Sequence, residues 1–182
     1  IAPVVKNTGT INANQGNILL ASSDAVTITL PDNQLSYTIE QGTLQGLVDN
    51  GGAILAEGGH VVLTAKGLDT VKKSVINHSG IIEAQTVNNQ NGTIELLGDL
   101  ANTQLNLTGK LDASAPAAKN PNGGNGGFIE TSAAKVIASD SVIVTTKATN
   151  GKSGSYLIDP NDIIIASSGG NFTGTWIGSQ IS

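Results

Sequence analysis

The sequence contains no cysteine and no arginine, and it is poor in aromatic and charged residues. Without cysteine, neither a disulfide framework nor a zinc–thiolate or thiol redox site can form. All basic residues are lysines, and the net charge is −5. The chain therefore lacks the clustered Lys and Arg typical of nucleic-acid binding, and its charge does not favour attraction to anionic lipid.

Long hydrophobic runs are also missing. No apolar stretch approaches the roughly 18 residues of a membrane-spanning helix, and no signal peptide is recognisable. We therefore expect no membrane insertion, and we interpret residues 1–182 as a single segment of a larger protein.

The chain is rich in glycine, asparagine and β-branched residues, and it contains an internal repeat. In each copy an aliphatic residue is followed four positions later by a small residue. Two positions further comes an aliphatic residue, and two positions further again comes another small residue. This alternation predicts a strand with one buried face. Five copies begin at Val5, Val48, Ile76, Leu105 and Ile137, with small residues at Gly9, Gly52, Gly80, Gly109 and Ser141 and central residues Ile11, Ile54, Ile82, Leu111 and Ile143.

A second predicted strand follows each copy and starts after a glycine. Its first inward positions are Ile18, Val61, Ile94, Ile129 and Tyr156. A third strand per coil is predicted at residues 26–30, 103–107, 136–138 and 163–165, and a short helical turn at residues 68–74. The spacing between the strands varies, with an inserted excursion at about residues 31–46 and a projecting loop at about residues 114–126.

Fixed strands separated by variable loops indicate a solenoid. We predict an all-β fold, a right-handed parallel β-helix of about five coils with extra-helical loops or a hairpin. Stacked coils would align the central residues of the repeats in one column and the second-strand residues in another. A β-sandwich is the alternative, but it would not repeat one sequence register five times.

Three passages carry a family resemblance: VVLTAKGLDTVKKSVINHSGIIEA at residues 61–84, GNGGFIETSAAKV at 124–136 and NGKSGSYLIDPNDIII at 150–165. They resemble the large exoproteins of bacterial two-partner secretion, the group of filamentous haemagglutinin, high-molecular-weight adhesins and haem–haemopexin-binding proteins. The letters NPNG at residues 120–123 also occur in the secretion domain of that group, but here no hydrophobic strand precedes them. We therefore place the chain downstream of that domain.

The resemblance implies export through an outer-membrane transporter and a location that is secreted or on the bacterial surface. It implies a non-catalytic adhesin segment, a rigid stalk whose loops bind a host protein or glycan, or alternatively one that captures a haem-carrier protein. Loops on a rigid scaffold commonly carry recognition. The expected partner-contact residues are Asp32, Asn33, Tyr37, Lys119, Asn120, Asn122 and Asn125.

A β-helical polysaccharide-degrading enzyme is the competing hypothesis. Glycosidases need two converging carboxylates, and two pairs, Glu83 with Asp112 and Glu95 with Glu130, occupy equivalent repeat positions. We expect these acids to be solvated outward residues. The missing arginine also argues against a pectate-lyase-like site, so we predict no enzyme activity.

The remaining candidate residues are histidines, a proline and glycosylation sequons. His60 and His78 are expected to be solvated, with no metal or cofactor bound, and Asp159–Pro160 to lie in a loop that ends a strand. Some adhesins of the group carry sugars on asparagine, so the resemblance implies glycosylation of the Asn-x-Ser/Thr sites. These are Asn77, Asn91, Asn106 and Asn171.

Overall fold

The computed structural model describes residues 1–30, 35–69 and 73–180. Three five-stranded parallel sheets wind around one core and form a right-handed parallel β-helix, as predicted. Each coil contributes one strand to each sheet, because three short strands joined by tight corners return the chain to a position one strand spacing further along the axis.

The first sheet has the order β1-β6-β9-β12-β15 and contains the opening strand of every repeat. Its strands are Val4–Asn7, Gly46–Asn50, Ser74–His78, Gln104–Leu107 and Lys135–Ala138. The predicted third strands at residues 103–107 and 136–138 are therefore the first strands of the coils that follow.

The second and third sheets continue each coil. The second sheet contains β2 (Thr10–Asn12), β7 (Ala53–Leu55), β10 (Ile81–Glu83), β13 (Lys110–Asp112) and β16 (Ile143–Thr145). The third sheet contains β3 (Asn17–Ser22), β8 (His60–Ala65), β11 (Thr93–Gly98), β14 (Phe128–Ala133) and β17 (Ser155–Pro160).

The core consists of aligned aliphatic columns. Ile18, Val61, Ile94, Ile129 and Tyr156 are paired in register, which confirms the predicted second column. Ile11, Ile54, Ile82 and Leu111 form the other predicted column. Burial of such side chains contributes on the order of 1.5–3 kcal/mol each.

The prediction that Ile143 completes this second-sheet column is wrong. Val144 pairs with Leu111, whereas Ile143 pairs with Lys110 and is 56% exposed. The fifth repeat opens at Val136, which pairs with Leu105, so the corner before β16 is longer than in the other coils. Because Ile143 and Val144 are both aliphatic, their alternation alone did not decide which one faces inward.

Two of the predicted third strands have a different role. Residues 26–30 coincide largely with β4 (Ala25–Thr29), which pairs with β5 (Ser36–Gln41) as an antiparallel hairpin outside the coils. This hairpin is the predicted excursion, although it begins before residue 31. Residues 163–165 form no strand: Ile165 only bridges to Phe172, and all three isoleucines are more than half exposed.

The predicted helical turn at residues 68–74 lies partly outside the described residues. Leu68 and Asp69 form a bend, and Ser74 is the first residue of β9. Asp159 and Pro160 are the last two residues of β17, so the prediction of a loop is wrong for them. Pro160 nevertheless ends the strand as expected.

The C-terminal end of the core is covered by a segment that no repeat predicts. Helix α1 (Gly174–Gln180) places Trp176 against Phe172, with ring centroids 5.0 Å apart, and both side chains are 1% exposed. The Trp176 indole Nε1 donates to the Val142 carbonyl at 3.3 Å. Two buried aromatic rings thus close an end that would otherwise expose aliphatic side chains.

Candidate binding face

The outer face of the third sheet is the surface on which the hairpin packs. Because side chains alternate along a strand, every second residue points away from the core. Strand pairing aligns these residues in rows across the five coils. The rows are Asn17, His60, Thr93, Phe128 and Ser155; Leu19, Val62, Glu95, Glu130 and Leu157; and Ala21, Thr64, Leu97, Ser132 and Asp159.

Hairpin β4–β5 covers the first two coils of this face. Val62 and Thr64 point outward, yet they are 0% and 3% exposed. Tyr37 of β5 reaches the Thr64 side chain, and burial raises the pKa of its phenol, with the nearby Glu95 and Glu130 carboxylates adding to the shift. Tyr37, a predicted partner-contact residue, is therefore half-buried and secures the hairpin to the sheet.

Glu95 and Glu130 lie side by side beyond the hairpin, on neighbouring strands. Glu95 Oε2 is 2.9 Å from His60 Nε2, and the Ser132 hydroxyl donates to Glu130 Oε1 at 2.6 Å. Register confirms that the two acids stack. Each carboxylate has one oxygen engaged within the sheet, and the two side chains are partly exposed.

Two depressions border the hairpin on this face, one beside Leu35 and one beside β5. One, of 510 Å³, is lined by Leu35, His60, Thr93 and several amide side chains. The other, of 290 Å³, is lined by Tyr37, Ile39, Leu97 and Asp99. The hairpin thus forms one wall of a recess whose floor includes residues of β8 and β11.

The second stacked pair, Glu83 and Asp112, is also in register but differs in environment. Lys110 Nζ lies 2.9 Å from Glu83 and 2.8 Å from Asp112. Burial opposes ionisation of Asp112, yet hydrogen bonds from Lys110, Ser114 and Gln85 lower the pKa of its carboxyl. Asp112 is 4% exposed, so the prediction of a solvated outward acid is wrong for it.

His78 lies inside the solenoid, and the prediction that it is solvated is wrong. It is 1% exposed and follows Asn7 and Asn50 in one row of the first sheet. Asn7 Nδ2 donates to Asn50 Oδ1 at 2.8 Å, and Asn50 Nδ2 lies 3.1 Å from His78 Nδ1. Burial lowers the pKa of this imidazole. His60, in contrast, is half-buried at the hairpin face.

Loop 114–126 is tied to the coils rather than free. Lys119 Nζ pairs with Glu57 and also contacts Gln85, two and one coils away. Asn120 is 2% exposed and donates to the Thr86 carbonyl at 2.6 Å. The structure therefore places Asn120 inward, which contradicts its prediction as an exposed contact residue. Asn122 and Asn125 are exposed.

The other predicted site residues are scattered. Asp32 and Asn33 lie outside the described residues. Among the sequons, Asn91 is exposed, whereas Asn77 and Asn106 are half-buried and joined by a hydrogen bond of 2.8 Å. Asn171 is 4% exposed, and its Nδ2 donates to the Val136 carbonyl, which leaves this amide inaccessible in the folded chain.

Two further classes of feature are absent from the described residues. Within residues 1–30, 35–69 and 73–180, no cluster of three or more His, Asp and Glu side chains is arranged to hold a metal ion. In the same part of the chain, no helix has the length and apolar character needed to cross a bilayer.

Comparison with known proteins gives a partial match. The chain is 36% identical over 96 residues, 52% of its length, to a Heme/hemopexin-binding protein of Haemophilus influenzae, and 36% identical over 103 residues to that of strain Rd. No protein-family model and no solved structure matches. The chain spans about a tenth of the length of these curated relatives. About half of the chain is thus similar to haem/haemopexin-binding proteins, which are one member of the group that the sequence resembles, and this confirms the resemblance.

Proposed function

We propose that this chain is a non-catalytic binding segment of a secreted bacterial exoprotein, in which a rigid solenoid presents hairpin β4–β5 to a host protein. The observation that carries the proposal is the placement of the hairpin. It leaves the coil after β3 and rejoins it before β6, while the strands on either side keep their register. A scaffold that tolerates such an excursion suits recognition by the inserted segment.

The names of the relatives favour a haem-carrier protein as the partner. Both are called Heme/hemopexin-binding protein, so we propose haemopexin as the first candidate, with another host protein or a glycan as alternatives. By the same homology we propose that the parent protein passes through an outer-membrane two-partner-secretion transporter and acts outside the cell or on its surface.

The absence of enzyme activity is part of the proposal. Glu95 and Glu130 lie on neighbouring strands, and glycosidases act through a pair of nearby carboxylates. However, His60 and Ser132 each engage one of these carboxylates. The chain also lacks arginine, and its few aromatic residues offer little platform for sugar rings.

Surface plasmon resonance with the immobilised chain would test binding of haem-free and haem-loaded haemopexin. The matched control replaces residues 25–41 with a short Gly/Ser linker and must keep the thermal transition of the parent chain. Saturable binding that the control loses supports the proposal. Binding that the control retains, or release of reducing sugar from polysaccharides by the parent chain, would contradict it.

A further inference from the structure

The recess beside the hairpin has an unpaired strand edge as its wall. Among the described strands, β5 pairs with β4 alone. Leu35, Tyr37 and Ile39 line the two depressions together with residues of β8 and β11, whereas no β4 residue does so. One edge of β5 is thus occupied by no other described strand, and its backbone N–H and C=O groups can accept another strand, although the Ile39 carbonyl already accepts from Lys66 Nζ at 3.5 Å.

The outer face of the sheet beside the recess is acidic at its centre and apolar on either side. Glu95 and Glu130 occupy the middle row, while Phe128 and Leu97 lie in the rows before and after them. Asp99 and Lys66 both line the recess near Leu97, so this end carries one negative and one positive side chain. His60 offsets part of this negative charge because it pairs with Glu95.

In the last coil the same face is more exposed. Leu157, in the same row as Glu95 and Glu130, is 43% exposed. In contrast, Val62 occupies the equivalent position under the hairpin and is fully buried. A third strand placed beside β5 would shield the floor as the hairpin shields the first two coils.

We propose that this recess binds an extended, basic peptide segment of a partner protein, which adds to β5 as a third strand. Added strands gain affinity from main-chain hydrogen bonds and specificity from alternate side chains. One lysine or arginine of the segment points down to Glu95 and Glu130, and the apolar residues two positions before and after it meet Phe128 and Leu97. The proposal deepens the binding role given above and rests on it.

The test uses the whole chain and a short fluorescein-labelled lysine–valine peptide, Val-Thr-Lys-Thr-Val, in which the two valines lie two positions before and after a single lysine and share its face. Fluorescence anisotropy should show saturable binding that weakens as salt increases. The Glu95→Gln/Glu130→Gln variant should weaken binding at least about tenfold, since charge-assisted hydrogen bonds are lost. Glu130→Gln alone guards against loss of the fold through the His60 contact. Glu40→Gln removes the same single charge as Glu130→Gln, at an exposed β5 position, and should have no effect.

Two peptide controls separate strand addition from simple charge attraction. A glutamate–valine peptide should not bind. Two further lysine–valine peptides are N-methylated at alternate backbone amides, one at the odd and one at the even positions. One of these two should bind at least about tenfold more weakly, because the edge that faces β5 loses its donors.

Three outcomes would overturn the inference. The first is that the lysine–valine peptide shows no saturable binding. The second is that the peptide binds the double variant and Glu40→Gln with equal affinity. The third is that neither N-methylated peptide binds more weakly than the unmethylated one. Binding of a neutral oligosaccharide to this face, in the absence of peptide binding, would assign the recess to a glycan and would also reject the peptide proposal. Haemopexin binding by the same preparations is scored separately, so each proposal can fail alone.

Discussion

Asn50 and His78 are joined inside the solenoid by a hydrogen bond that fixes the histidine tautomer. Asn50 Nδ2 can only donate, so His78 Nδ1, 3.1 Å away, must accept. His78 Nε2 therefore carries the proton and donates to the Lys110 carbonyl at 3.0 Å. A second proton on the ring would turn Nδ1 into a donor facing a donor, so the folded chain holds this histidine neutral.

The stability of the chain should consequently fall in mild acid. The folded pKa of His78 is lowered by burial, while the unfolded histidine titrates at its ordinary value of about 6.5. Below that pH the unfolded state binds the extra proton, so the free energy of unfolding decreases by up to about 1.4 kcal/mol per pH unit until the folded pKa is reached. Above it the contribution is fully present.

Urea denaturation between pH 7.5 and 5 would measure this loss. His78→Asn extends the amide row and should flatten the pH dependence, whereas His60→Gln removes a half-buried histidine and should leave the His78 component in place. An unchanged pH profile in His78→Asn would refute the role assigned to the imidazole.

The register of the last coil gives a second prediction. Ile82→Ala removes methyl groups from a fully buried column and should cost about 2–5 kcal/mol. Ile143→Ala, at a position 56% exposed, should change the free energy of unfolding by no more than about 0.5 kcal/mol. Denaturant midpoints measure both. A large loss in Ile143→Ala would restore Ile143 to the core column.

The corner glycines give a third prediction, with a control in the first coil. A Cβ added to Gly80 would lie 2.0 Å from the Gly52 carbonyl oxygen, whereas one added to Gly9 would meet nothing within 4 Å. Gly80→Ala should therefore destabilise the chain by about 1–3 kcal/mol or more through overpacking. Gly9→Ala should be nearly neutral. Equal thermal shifts in the two variants would count against tight stacking at this corner.

Loop 114–126 gives a fourth prediction. Asn120→Ala leaves the Thr86 carbonyl without the side-chain donor that it has in the folded chain and should cost about 1–3 kcal/mol. The exposed Asn122→Ala should have little effect. Deletion of residues 114–126 should also destabilise the chain, because Ala115 bridges to Ala148 in the coil that follows. A deletion variant with the parent's unfolding midpoint would show that the loop is dispensable.

Much of the fold could be predicted from the sequence because stacked coils repeat one burial pattern. The column through Ile18 and Val61 follows from spacing alone. The inward position of His78 was also detectable, since it stands two residues after Ile76 just as Asn50 stands two residues after Val48. Gly80, two residues after His78, instead favours a turn, which explains the expectation of a solvated histidine.

The features that could not be predicted have no equivalent in the other coils. Trp176 and Phe172 cover the end of the core from a short helix without a repeat partner. The hairpin face likewise depends on where an insertion folds back, which no periodicity specifies. Its acids aligned as predicted, but the recess formed with Tyr37 needed the three-dimensional packing.

The hairpin departs and returns at almost the same point of the coil. The Ser22 carbonyl accepts from Lys66 N at 3.1 Å, and Thr43 N donates to the Lys66 carbonyl at 3.0 Å. Both ends of the inserted segment are thus hydrogen-bonded to a single residue of the next coil. Inserted sequences of other lengths could replace the hairpin while the coils kept their register. One solenoid could therefore evolve new binding specificities by exchange of this inserted segment.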